Sequence, residues 1–136
     1  LGNGFNYGLA VEADLKMKEM TQIPSYSYYL HEFNHGPKSL LDNRSLCLIL
    51  TLDNLEENMT NVIYGFLKLG PMMVIVGNSK IRNEDIYSLL TDSNLNNRFV
   101  RPFINIPVFQ IFAYISTVNK NLNPDKPKNL SYILKI

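Results

Sequence analysis

Two short segments that are apolar at nearly every position constrain the fold of this chain more than any other feature. Residues 45–52 read Ser-Leu-Cys-Leu-Ile-Leu-Thr-Leu, and residues 71–76 read Pro-Met-Met-Val-Ile-Val. Strands that are buried on both faces, as in parallel sheets, carry such continuous apolar runs. Between the two runs, Asp53 or Asn54 can cap a helix that Gly70 then stops. This alternation predicts an α/β fold, a three-layer sandwich whose parallel sheet is flanked by helices.

Further elements are predicted on both sides of this unit. Leu9, Ala13, Met17 and Met20 recur at helical spacing, so we expect a helix over residues 6–21. The other predicted elements are, in chain order, an extended stretch or short strand at 25–30, a loop or short helix at 33–43, a short helix at 83–90, a short strand at 99–100, an apolar helix at 107–118 and a short last element at 130–135. A chain of 136 residues is long enough for one domain with one core.

Composition narrows the expected partners and compartment. The formal net charge is +1, so the chain has no basic field to attract nucleic acid. Its apolar runs are too short to cross a bilayer, and no signal-peptide pattern opens the sequence, so we expect no membrane partner. Cys47 is the single cysteine and lies in an apolar run, which excludes an internal disulfide and fits a reducing, cytoplasmic setting.

The first residues, Leu1-Gly2-Asn3-Gly4, have the pattern of a strand end and the tight turn that follows it. The strand itself and an initiator Met are not in the sequence. We therefore expect a sheet that lacks its first strand in this chain, and an N-terminal part of the protein that precedes Leu1.

The run His31-Glu32-Phe33-Asn34-His35 matches H-E-x-x-H, in which two histidines one helical turn apart bind zinc beside a glutamate base. Its context opposes a zinc site. Gly36-Pro37 follows at once and should end any helix, and the Ser- and Tyr-rich residues before the motif favour helix only weakly. A third His ligand is impossible, because the chain has two histidines. We therefore expect no metal, whereas a zinc protease would hold zinc when purified.

Glu12, Lys16 and Glu19 are spaced i, i+4 and i+7, which puts them on one face of the predicted first helix. Spacing alone leaves two interpretations open. The face is either a solvated surface with its own ion pairs, or a site where a carboxylate base lies beside a cation. His35 is similarly open, as a loop or interface residue or as a base that takes a hydroxyl proton.

Several short motifs follow one another in order along the chain. They are Leu1-Gly2-Asn3-Gly4, Glu12 with Leu15-Lys16-Met17-Lys18-Glu19, Glu32 with His35-Gly36-Pro37, Ile106-Pro107-Val108-Phe109-Gln110-Ile111-Phe112-Ala113-Tyr114, and Asn123-Pro124-Asp125-Lys126-Pro127-Lys128-Asn129-Leu130. Together they resemble the C-terminal isomerase subdomain of glutamine–fructose-6-phosphate aminotransferases (isomerising), a sugar isomerase (SIS) domain, and related glucosamine-6-phosphate deaminases. The resemblance implies a flavodoxin-like fold, with residues 1–136 forming a single SIS domain, the C-terminal half of a protein with two.

The resemblance also implies roles for individual residues. Glu19 takes the position of the base that moves a proton between C1 and C2, and Lys16 that of a lysine near the open-chain sugar. His35 takes the position of the ring-opening histidine, which the family supplies across a dimer interface. Glu12 and Glu32 are implied as supporting, substrate-binding residues. The implied substrate is fructose 6-phosphate or glucosamine 6-phosphate, the implied partners are a companion SIS domain and a second subunit, and no cofactor is implied.

Two departures from the family pattern limit what the resemblance implies. Tyr132 stands where the aminotransferases carry the lysine that forms a Schiff base with the sugar, and a phenol cannot form an imine; Lys135 lies three residues further on. The Ser/Thr-rich phosphate loop of the family has no clear counterpart, because Gly77-Asn78-Ser79-Lys80 is a thin candidate. We therefore expect an isomerase or deaminase rather than a glutamine-dependent synthase. The alternative is a non-catalytic module that binds a phosphosugar for a regulator.

Overall fold

The two apolar segments form the centre of a parallel sheet in the computed structural model, which describes residues 1–52, 55–91 and 99–130. They give strands β1 (Leu46–Thr51) and β2 (Met72–Gly77), and β3 (Ile86–Leu90) follows. β1 pairs with β2 in parallel from Leu46–Met72 to Thr51–Gly77, and β2 pairs with β3 in parallel. The order is therefore β1-β2-β3.

The first two residues extend this sheet on the far side of β1. Gly2 makes parallel bridges to both Tyr29 and Leu50. The Leu50 N–H donates to the Leu1 carbonyl over 2.9 Å, and the Gly2 N–H donates to the Tyr28 carbonyl over 3.2 Å. Leu1-Gly2 thus lies between the extended segment that ends at Tyr29 and β1, where the predicted strand end belongs. The predicted parallel α/β fold is confirmed.

In the described parts of the chain, four α-helices surround the sheet. They are α1 (Phe5–Lys16), α2 (Leu30–His35), α3 (Glu57–Leu67) and α4 (Ile106–Asn119). α1 continues directly into a π-helical turn, Met17–Thr21, and short 3-10 helices occur at Pro37–Leu40 and Arg101–Asn105. The helices predicted over residues 6–21 and 107–118 are confirmed. None of the helices in the described ranges is long and apolar enough to cross a membrane.

Alternate residues of the two central strands face opposite layers. Ile49 and Ile75 belong to a cluster that α2 and α3 complete with Leu30, Phe33, Met59, Ile63 and Phe66. Leu50 and Val76 belong to a second cluster, which α1 and α4 complete with Leu9, Ala10 and Phe109. Because successive side chains of a strand point to opposite faces, the continuous apolar runs give both layers a core. Cys47 is buried in β1, and burial raises the pKa of its thiol to about 11.

Two predicted elements are wrong. Residues 86–90 form β3 rather than part of the helix predicted at 83–90, because a turn begins at Asn83. Its side-chain oxygen accepts from the Asp85 N–H and its carbonyl from the Ile86 N–H, which makes a turn that leads into a strand beside β2. Phe99 and Val100 form a turn rather than a strand, and the Val100 carbonyl accepts from Phe103 in the 3-10 helix that follows.

The cap predicted at Asp53 or Asn54 is wrong, because α3 begins at Glu57 and its N-cap residue is Glu56. The helix ends before Gly70 as predicted. The last predicted element lies outside the described residues from residue 131 onward, including Tyr132 and Lys135.

Gly77, at the end of β2, should tolerate no side chain. Its φ of 133° is a conformation that L residues rarely adopt, and an added Cβ would collide with the carbonyl oxygen of Thr51, its partner in β1. We predict that Gly77→Ala lowers the free energy of unfolding by at least about 2 kcal/mol, measured by urea denaturation.

Gly65→Ala is the matched control. Gly65 is exposed in α3, and a Cβ there would meet no atom within 4 Å. This change should leave stability unchanged or raise it by up to about 1 kcal/mol, since alanine favours helix. Equal urea midpoints for the two variants would contradict the close packing of β1 against β2 at Gly77.

Candidate functional site

Glu12, Lys16 and Glu19 form one cluster on the helix that starts the domain. The Lys16 Nζ donates to Glu19 Oε2 over 3.2 Å and lies 3.6 Å from Glu12 Oε1. The hydrogen bond to Glu19 is the main cause that raises the pKa of Lys16, and the charge of Glu12 adds to it. Lys16 therefore stays a cation at neutral pH, placed between two carboxylates. The predicted common face of these residues is confirmed.

Glu19 lies within the π-helical turn, a feature that the sequence did not predict. Such turns are rare and occur frequently at functional sites. The buried Thr21 closes the turn, since its hydroxyl donates to the Met17 carbonyl over 2.6 Å. Gln22 follows in the left-handed conformation, with φ 57°, and ends the helix before Pro24. The carboxylate is thus carried by a specific, irregular end of the helix.

The segment after the turn folds back and binds α1. The Ser25 hydroxyl lies 2.9 Å from the Asp14 carbonyl oxygen and 2.6 Å from Asp14 Oδ1, and Lys18 forms an ion pair with Asp14 at 2.8 Å. Burial acts to raise the pKa of Asp14, but the bonds from Lys18 and Ser25 outweigh it and the net pKa is lowered. These contacts fix the chain on both sides of Glu19.

Glu32 and His35 lie on the exposed side of α2. Leu30 and Phe33 anchor this six-residue helix in the core, which leaves both polar side chains accessible to a neighbour. The helix ends at His35 as Gly36-Pro37 predicted. Among the described residues, no hydrogen bond or ion pair joins Glu32 or His35 to Glu12, Lys16 or Glu19. One copy of the chain therefore brings together three of the five predicted site residues.

The H-E-x-x-H run lies on α2, with His31 and His35 one turn apart. Within the described ranges, no three side chains of His, Cys, Asp or Glu come together in a way that could hold a metal ion.

A cavity of about 610 Å³ opens at the carboxyl edge of the sheet. Its walls come from the start of α1, from His31, from the end of β1 and from the region before α3; they include Asn3, Asn6, Thr51 and Glu56. Ligands of open α/β sheets bind at this edge. Sequence reasoning missed the cavity, although the rule for parallel strands could have indicated it.

The cavity and the Glu12–Lys16–Glu19 cluster are separate. Lys16, Glu19 and His35 are not among the described residues that line the cavity. Phe5 lines it at the first turn of α1, and Lys16 lies about 16 Å further along the helix axis at 1.5 Å per residue.

The phosphate-loop candidate at residues 77–80 has a structural role. The Ser79 hydroxyl accepts from the Leu55 N–H, and the backbone N–H of Ser79 donates to the Thr51 hydroxyl oxygen.

This fold is a doubly wound α/β domain with a polar cluster on its first helix. The chain belongs to the SIS domain family, whose model matches residues 1–97. It is 32% identical to the glutamine–fructose-6-phosphate aminotransferase (isomerising) of Thermotoga maritima over 133 residues. That match covers 96% of this chain and 22% of the relative. The enzyme of the same name from Sulfolobus acidocaldarius matches with the same identity and the same two coverages. The chain thus spans less than a quarter of these relatives.

Solved structures share the fold. The C-terminal domain of the glucosamine-fructose-6-phosphate aminotransferase from Francisella tularensis superposes with a TM-score of 0.77, at 20% identity, over 90% of this chain and 35% of that one. The tagatose-6-phosphate ketose/aldose isomerase from Escherichia coli gives the same TM-score and identity over 100% of this chain and 39% of its own. The glucosamine-6-phosphate deaminase from Thermotoga maritima gives 0.69, at 22% identity, over 92% and 36%.

Proposed function

We propose that this domain takes part in aldose–ketose isomerisation of a hexose 6-phosphate, with Glu19 as the base that moves a proton between C1 and C2. The observation that carries the proposal is the ion pair between Glu19, in the π-helical turn, and Lys16, at the end of α1. Lys16 Nζ and Glu19 Oε2 are 3.2 Å apart. Fructose 6-phosphate and glucosamine 6-phosphate are the proposed substrates, because the relatives at 32% identity are named glutamine–fructose-6-phosphate aminotransferases.

The chemistry follows from the charges in the cluster. Removal of a proton beside a sugar carbonyl develops negative charge on the carbonyl oxygen, and the Lys16 cation can stabilise that charge. Glu19 takes the proton and returns it to the neighbouring carbon. Glu12, 3.6 Å from Lys16, holds the cation in place. The sugar carbonyl is itself the electron sink, so the step requires no organic cofactor or metal.

Ring opening is assigned to His35 of a neighbouring subunit, with Glu32 beside it as a supporting residue. Both are exposed on α2, and no bond in the described residues links them to Glu19 of the same copy. An imidazole can take the proton of a ring hydroxyl near neutral pH. A homodimer that places α2 of one subunit over the π-helical turn of the other would complete the site.

A companion SIS domain is proposed to cover α4. Phe109, Ala113 and Thr117 bury one side of this helix, and the opposite side exposes Ile111 and Ile115 by 57% and 50%. A helix that is apolar on all sides is normally covered by protein. Two of the neighbouring structures support this, because this chain spans only 35% of the Francisella tularensis chain and 39% of the Escherichia coli chain.

Isomerisation or deamination is preferred over glutamine-dependent synthesis. The preference depends on Tyr132, which stands where the family's Schiff-base lysine is expected and lies outside the described residues.

A phosphosugar-sensing module is the second candidate. The separation of the cavity from Glu19 favours it, because a sensor needs a binding cavity and no base.

Replacing Glu19 by Gln separates the two functions. We predict that Glu19→Gln lowers aldose formation from fructose 6-phosphate in the native protein by at least about 100-fold, because the amide cannot accept the proton. Incorporation of solvent deuterium at C1 of the sugar, followed by NMR, measures the same step.

Glu57→Gln is the matched control, an exposed carboxylate at the start of α3 that should leave the rate unchanged. A wild-type protein that binds the sugar without forming aldose or exchanging the C1 proton would overturn the catalytic proposal in favour of the sensor.

Mixing two inactive variants tests the shared site. In a mixed dimer, one subunit carries Glu19→Gln and the other carries His35→Ala. One of its two sites then combines the intact Glu19 with the intact His35, and the other site combines the two altered residues. Random mixing should therefore restore about a quarter of the wild-type rate. Activity that stays at the level of the single variants would show that Glu19 and His35 do not meet across a subunit interface.

A further inference from the structure

We propose that Lys120 is a positioning residue for Glu19, because it holds the end of the π-helical turn that carries this carboxylate. The inference deepens the proposed function and rests on it for its catalytic consequence. The Lys120 Nζ donates to the Thr21 carbonyl oxygen over 2.8 Å, a contact between residues 99 positions apart. It joins the end of α4 to the end of the π-helical turn that follows α1.

The Thr21 carbonyl needs this donor. The last carbonyls of a helix have no partner within the helix, and water or a side chain usually serves them. Thr21 is fully buried, with 0% of its surface exposed, so water has little access. Its hydroxyl is already used, since it donates to Met17 and accepts from the Ile23 N–H. The ammonium of Lys120 supplies a charge-assisted hydrogen bond, a stronger contact than a neutral donor would give.

Lys120 is itself held in a fixed place. It follows the last residue of α4, and Asn121 takes the left-handed conformation with φ 57°. The Asn121 N–H donates to the Val118 carbonyl and the Leu122 N–H to the Thr117 carbonyl, the pattern of a Schellman motif. The backbone of Lys120 thus has little freedom, and its side chain reaches the turn from a rigid base.

The contact lies where two helix ends meet. α4 packs against both α1 and the π-helical turn, and Ala113 and Thr117 of α4 are buried. The carboxyl ends of both helices carry partial negative charge, so a cation between them is favourable for each. Glu19 is two residues before Thr21 in the same turn. Loss of the Lys120 bond should let the turn fray and move Glu19 away from Lys16.

The test compares Lys120→Met, which keeps the aliphatic stem without the donor, with Lys120→Arg, which keeps a cationic donor. Backbone amide exchange of residues 17–22 should accelerate at least about fivefold in Lys120→Met and stay near the wild-type rate in Lys120→Arg. The kcat of isomerisation should fall about tenfold in Lys120→Met with KM nearly unchanged, and Lys120→Arg should restore it. Lys126→Met, an exposed cation in the tail, is the control and should alter neither.

Two results would overturn the inference. Unchanged amide exchange of residues 17–22 in Lys120→Met would show that the bond does not hold the turn. Faster exchange with an unchanged kcat would show that the turn does not position the base. A wild-type protein without isomerase activity would instead refute the proposed function, and amide exchange would still decide whether Lys120 fixes the turn.

Discussion

The parallel pairing of β1 with β2 is the constraint on which the rest of this domain depends. The strands pair over six positions, and Ile49, Met73, Ile75 and Val76 are fully buried between two helical layers. Each such side chain contributes about 1.5–3 kcal/mol when removed from water. A shift of the pairing by one residue would exchange the two cores, so the register is strongly specified. The glycine at position 77 lets the strands remain close at the edge where the cavity opens.

The position of the candidate site follows from this sheet. Leu1-Gly2 is paired beside β1, and the Asn6 amide donates to the Leu50 carbonyl over 3.2 Å. These bonds fix where α1 starts and therefore where its far end, with Lys16 and Glu19, lies. That end is on the flank of the domain, where about a third of the Glu19 side chain is exposed. A carboxylate in water is a weak base, so the proposed catalysis needs a neighbouring subunit to cover it.

The sequence predicted the central strands and the long helices because their signals are local and strong. The prediction failed where a short segment could adopt either of two local structures. Asn83 could cap a helix or make a turn before a strand, and only the free edge of β2 selects the strand. The Glu12–Lys16–Glu19 face was predictable from helical spacing, and the structure adds the ion pairs. The π-helical turn and the Lys120–Thr21 bond were not predictable, because each depends on packing between distant parts of the chain. The place of the cavity could have been inferred from the rule for parallel strands, but its lining residues could not.

The most direct test of the account is the distance from the Glu19 carboxylate to the substrate in a crystal structure of the native protein with fructose 6-phosphate. We predict an oxygen of Glu19 within about 3.5 Å of C1 or C2, with Lys16 and His35 of a neighbouring subunit near the C2 oxygen, which is the anomeric hydroxyl of the ring and the carbonyl of the open chain. A sugar bound only in the cavity at the carboxyl edge, with Glu19 left in solvent, would contradict it.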